Sequence, residues 1–162
     1  MDPLSLVVAT ATLLDMSIKV SKAIKAYVEK VRNPDKCFNY LRLEIDSLST
    51  LLERFRATLS DNSSVQSRVR FEAGHDAEYW KYIRVSISYC QQTIKELEDV
   101  VKRVSNGQNG LIGRMLGPIL RSPQTDEIPM YLQQIKSYRK AIGFSLTWIS
   151  VYQPSLSVID LG

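Results

Sequence analysis

The chain has 162 residues, 44% of them hydrophobic and 23% charged, the balance of a globular domain with its own core. Two cysteines, Cys37 and Cys90, exclude a disulfide-dense scaffold, and the single histidine, His75, argues against a histidine-based metal site or a Ser-His-Asp triad. The net charge of +4 is spread without a basic block or a stripe of interleaved aromatics, so nucleic acid is not an expected partner.

Helical periodicity runs through the chain, and four helices are expected near 3–32, 34–60, 77–105 and 127–152. The first opens on Asp2-Pro3, a capping residue followed by a proline in the first turn. Its core stripe reads Leu6, Ala9, Leu13, Met16, Val20, Ala23, Tyr27 and Val31. Asn33-Pro34 separates it from the second, whose stripe is Phe38, Leu41, Ile45, Leu48, Leu52, Phe55 and Leu59. A polar loop opens at Ser60-Asp61-Asn62-Ser63-Ser64 and reaches about to His75. The third helix carries Trp80, Ile83, Ile87, Cys90, Ile94, Leu97, Val101 and Val104, and Asn106-Gly107 is expected to end it. Residues 107–120 combine four glycines with Leu111, Ile112, Met115, Leu116, Ile119 and Leu120. They read either as a short helix packed over one end of the bundle or as a membrane-seeking loop. Asp126 is positioned to cap the fourth helix. Its stripe is Ile128, Tyr131, Ile135, Tyr138, Ile142, Ser145, Ile149 and Tyr152, and Gln153-Pro154 is expected to stop it. The fold class is therefore all-α: an antiparallel four-helix bundle over 1–152, with a short extra helical segment before the last helix and a tail or linker over 153–162.

Helix 1 is unusual. A second stripe, Leu4, Val7, Ala11, Leu14 and Ile18, is expected on the face opposite the core, and no charge occurs between Asp2 and Asp15. A helix that is apolar all round calls for burial all round. The twelve residues between those charges span only about 18 Å, short of the roughly 30 Å of bilayer hydrocarbon. Shallow insertion, burial under the rest of the protein, or contact with another copy each satisfy such a tip. Lys19, Lys22 and Lys25 follow it and can face anionic lipid, at roughly 1 kcal/mol each; an ordinary solvated helix face reads the same way. Ala141 to Ile159 is also free of charge. In an up-down-up-down bundle it would share a pole with the start of helix 1. Phe144, Leu146, Trp148 and Val151 then enrich that pole, unless helices 1 and 4 shield one another there.

No phosphate-binding Gly-Lys loop, dinucleotide fingerprint or Cys-x-x-Cys pair is present. Cys90 lies on a core stripe and Cys37 beside Phe38, and both read as small buried hydrophobes. His75-Asp76 reads as solvated loop, and Glu44, Asp46, Glu53, Glu96, Glu98 and Asp99 fall mostly off the core stripes. No catalytic residue, metal or cofactor is assigned.

The opening Met1-Asp2-Pro3-Leu4-Ser5, the Ala/Val/Leu-rich first helix, and Glu44-Ile45-Asp46-Ser47-Leu48 with Leu51-Leu52 resemble the fungal N-terminal domain of STAND (NLR-like) proteins, also described as HeLo-like. The resemblance is best over the first 60 residues. It implies a helical effector domain of an intracellular receptor, preceding a regulatory NTPase and repeat region. It implies programmed cell death as the output, with membrane association through helix 1 after oligomerisation. The Gly-x-x-x-Gly pattern of some membrane-inserting relatives is missing from helix 1, which argues against a pore more than against docking. The expected partners are an anionic membrane surface and other copies of the chain, and the expected location is cytoplasmic with recruitment to membrane. A protein-interaction module using the same stripe for homo-oligomerisation is the alternative.

Overall fold

The structure, a computed structural model, describes the backbone of residues 3–60, 77–109 and 127–159, and side chains within 5–60, 78–106 and 127–149. The described residues form four helices: α1 (Pro3–Lys30), α2 (Lys36–Ser60), α3 (Ala77–Asn109) and α4 (Ile128–Ile159). The 61–76 loop, His75-Asp76, the Asp126 cap, and the apolar residues 111–120 lie outside the described residues.

Local chemistry sets several boundaries. Pro3 occupies the first turn of α1, where its missing N–H costs nothing. Asn33-Pro34 lies in the short link to α2, and Asp35 caps that helix. The Cys37 amide donates to Asp35 Oδ1 at 3.0 Å, and the Phe38 amide donates to the Asp35 carbonyl at 3.0 Å. At the start of α4 the Met130 and Tyr131 amides donate to the Glu127 carbonyl at 3.1 and 3.2 Å. Two expected stops fail. α3 passes Asn106-Gly107 and ends at Asn109, and α4 passes Gln153-Pro154 and ends at Ile159. An internal proline removes one intrahelical hydrogen bond, at a cost of roughly 3 kcal/mol, but the flanking turns keep theirs.

Cross-helix contacts fix the arrangement. α1 runs antiparallel to α2, since Tyr27 packs on Phe38 with ring centroids 4.9 Å apart while Ser21 bonds Asp46. α3 and α4 are also antiparallel: Tyr79 lies 4.1 Å from Trp148 and Thr93 Oγ1 lies 3.4 Å from Gln134 Oε1. α1 and α3 are parallel neighbours, joined from Ala9 to Gln91 and from Lys19 to Glu98. α2 and α4 are parallel neighbours too, joined from Glu44 to Arg139 and, further on, from Leu51 to Gly143. Successive helices thus alternate in direction, while the order around the bundle is α1, α2, α4, α3. α1 and α4 sit across the diagonal. Mutual shielding of the two, one of the two readings left open by the sequence, is therefore not the arrangement.

One core fills the centre. Every expected stripe residue of α2 is buried, from Phe38 to Leu59. The same holds for α3 from Trp80 to Val104. On α4, Ile128, Tyr131, Ile135, Ile142, Ser145 and Ile149 are buried, while Tyr138 is half-buried. Each buried Leu, Ile or Phe contributes about 1.5–3 kcal/mol.

Candidate interaction site on the first helix

Between Asp2 and Asp15 α1 carries no charge, and in the bundle it lies between α2 and α3. Two neighbours on adjacent sides bury a wider arc than one stripe. This arrangement corrects the sequence expectation. Leu14 is core, 4% exposed. Val7 and Ile18 are half-buried and pack against the core, and Ala11 is half-buried. Leu4 lies within α1, with its side chain outside the described set. The stripe therefore occupies a flank of α1 rather than the face opposite the core.

The core face also differs in register. Leu6, Leu13, Val20 and Tyr27 are buried as expected. The companion track is Thr10, Ser17 and Ile24, not Ala9, Met16 and Ala23, which are half-buried. Ser21 is buried as well. The Thr10 hydroxyl donates to the Leu6 carbonyl and the Ser17 hydroxyl to the Leu13 carbonyl, each at 2.8 Å. These buried polar groups are satisfied by α1's own backbone. They demand nothing of the neighbouring helices.

Among the described residues, three polar links cross from α1. Gln91 Nε2 of α3 donates to the Ala9 carbonyl at 2.9 Å. The Ser21 hydroxyl donates to Asp46 Oδ1 of α2. Lys19 Nζ lies 2.9 Å from Glu98 Oε1 of α3, which Lys102 Nζ also approaches at 2.9 Å. Hydrogen bonds from Lys102 and then Lys19 hold the Glu98 carboxyl below its ordinary value. Lys19 is thus ion-paired with Glu98 in the bundle, while its side chain stays 70% exposed. Lys22 and Lys25 are exposed on the same helix. Gln91 was not singled out by the sequence, and Asp46 and Glu98 were read as carboxylates mostly off the core stripes, without partners. Cross-helix partners leave no local sequence signal.

The outward apolar surface lies mainly elsewhere. Among the described side chains of α1, only Val8 is a strongly exposed large hydrophobe, at 58%. α3 exposes Tyr82, Val85 and Tyr89, and α4 exposes Phe144 at 66%. Leu146 and Trp148, expected to enrich the apolar pole, are half-buried, and Val151 lies outside the described side chains.

Cys90 is buried, and burial pushes its thiol up to about 12, so it stays protonated. Cys37 is only half-buried, less enclosed than its place beside Phe38 suggested. Among the described residues no group of three or more His, Cys, Asp or Glu is placed to hold a metal ion. No helix among them is long and apolar enough to cross a membrane. No protein family, curated protein or solved structure matches the chain.

Proposed function

We propose that this chain is a non-enzymatic effector domain of an intracellular NLR-like protein, of the HeLo-like fungal kind. It acts in programmed cell death by associating with membranes through α1 after oligomerisation. It is cytoplasmic until activation, and a regulatory NTPase and repeat region belongs to the same full-length protein. The observation that carries this reading is the charge-free start of α1, whose buried Thr10 and Ser17 hydroxyls bond within α1 itself. Drawing such a helix out of the bundle strands none of those hydroxyls. Leu6, Leu13 and Leu14 leave the core with it and gain a new apolar surface only where one is offered. Lys22 and Lys25 add attraction to anionic lipid.

Vesicle flotation tests the proposal, with phosphatidylcholine alone and with added phosphatidylserine. Glu98→Gln combined with Asp46→Asn loosens α1 and should raise binding to the anionic vesicles. Val7→Glu combined with Ala11→Glu should abolish it, with circular dichroism checking that the helices persist. Leu14→Glu is unsuited, because it would place a carboxylate in the core. Equal binding by all three proteins would sink the reading.

A homo-oligomerisation module is the second reading, and the exposed Tyr82, Val85, Tyr89 and Phe144 on α3 and α4 favour it. It calls for a concentration-dependent dimer in sedimentation and no lipid preference. A monomer at high concentration would count against it.

A further inference from the structure

α2 and α4 run side by side and in the same direction. Where Gly143 replaces a side chain on α4, the seam opens into a shallow cavity of about 250 Å³. A Cβ at Gly143 would meet only Leu51 Cδ2, at 3.6 Å, so the glycine is not required by crowding. Its lack of a side chain leaves room. Arg54 enters the lining from α2, and Arg139 and Lys140 from α4. Ser47 and Thr50 supply hydroxyls, and no carboxylate lines the cavity.

Three cations around one opening repel one another unless an anion joins them. Glu44 offsets part of this by accepting from Arg139 Nε at 2.7 Å. That bond uses one of the five N–H donors of a guanidinium and anchors the group at the rim. Thr50 spends its proton on the Asp46 carbonyl at 3.1 Å, which leaves Ser47, Arg54, Arg139 and Lys140 as the donors. Guanidinium forks, an ammonium and a hydroxyl around a small opening of mixed character match the oxygens of a phosphate group. The volume is below the roughly 300–1,000 Å³ of pockets for drug-sized apolar ligands.

We infer that the cavity between α2 and α4 binds a phosphate-bearing anion, held by Arg54, Arg139 and Lys140. The same chemistry occurs in a phosphoinositide headgroup and in a soluble inositol phosphate. The site uses no residue of α1, so it stands apart from the function proposed above.

Titration calorimetry of the whole chain with soluble inositol trisphosphate tests the site, alongside flotation with phosphoinositide-containing vesicles. Arg54→Ala combined with Lys140→Ala removes two cations from exposed positions. Gly143→Leu fills the opening and keeps every charge. Lys81→Ala combined with Lys95→Ala removes the same charge from α3. The cavity variants should each weaken binding at least tenfold, and the α3 variant should leave it unchanged. Binding of the soluble anion with that pattern identifies the phosphate group itself as sufficient. Vesicle binding with that pattern, without soluble binding, identifies a headgroup presented at a bilayer. Equal loss from the two charge variants, undiminished binding by Gly143→Leu, or no binding in either assay overturns the inference. The soluble assay involves neither bilayer nor α1, so its outcome and that of the α1 test are read separately.

Discussion

α1 and α2 have similar lengths and opposite designs. α2 fills all seven expected core positions with large apolar side chains, from Phe38 to Leu59, and turns much of its remaining surface to solvent. α1 buries Thr10, Ser17 and Ser21 among its leucines. It also keeps apolar residues on its flank, where Val7 and Ile18 are only half-buried. The first design commits a helix to one place. The second seats a helix with six large apolar side chains, Leu6, Leu13, Leu14, Val20, Ile24 and Tyr27, interspersed with small hydroxyls, and leaves its flank compatible with another apolar surface. Apolar content alone does not measure how firmly a helix is held.

The sharpest break of this comparison lies in the core. Leu48→Ala in α2 should cost about 2–5 kcal/mol. Ser17→Ala in α1 should stay within about 1 kcal/mol, since the lost hydrogen bond is internal and alanine favours helix. Urea unfolding measures both, and comparable losses would remove the distinction. Asp35→Ala should cost about 0.5–2 kcal/mol by uncapping α2, read in the same assay.

A smaller effect concerns acid. The Glu98 carboxyl titrates lower in the folded chain than its ordinary value of 4.5. Its contribution is therefore present above that value and is lost as pH falls through the lowered one. Unfolding midpoints near pH 7 and below about pH 4 should differ less in Glu98→Gln than in the parent chain. An equal acid loss in both proteins would show that the cluster of Glu98 with Lys102 and Lys19 does not contribute to stability. Smallest of all, Val8→Glu should change thermal stability by less than about 0.5 kcal/mol, because Val8 faces outward.

α2 and α3 were legible in the sequence because their buried positions are apolar at heptad spacing, apart from flanking hydroxyls such as Ser86 and Thr93. That regularity also carried the helix count and the alternating directions. α1 was half legible. Thr10 and Ser17 hide one core track from any reading that looks for hydrophobes, and Ile24, lying on that track, was passed over with them. The stripe from Leu4 to Ile18 was visible, but its orientation was not, because the sequence does not say which helices flank α1. The order α1, α2, α4, α3 depends on long-range packing, and so do the Lys19–Glu98 pair and the cavity that joins Arg54 to Lys140. Pro154 misled for a different reason: proline marks a weak point in a helix, not always its end.

The parallel pairing of α1 with α3 also fixes how the helix ends line up. Ala9 is level with Gln91 and Lys19 with Glu98, so Pro3 falls about two turns short of where α3 begins. α4 passes Trp148 beside Tyr79 and continues to Ile159. Of the described residues, the tip of α1 is thus recessed, and the α3–α4 pair forms the prow. Among the described helices, a flat surface lowered end-on would meet α3 and α4 before the tip of α1. Relative to the start of α3, the charge-free tip of seated α1 comes level with such a surface when the bundle lies on its side, or when α1 slides or swings outward past α3.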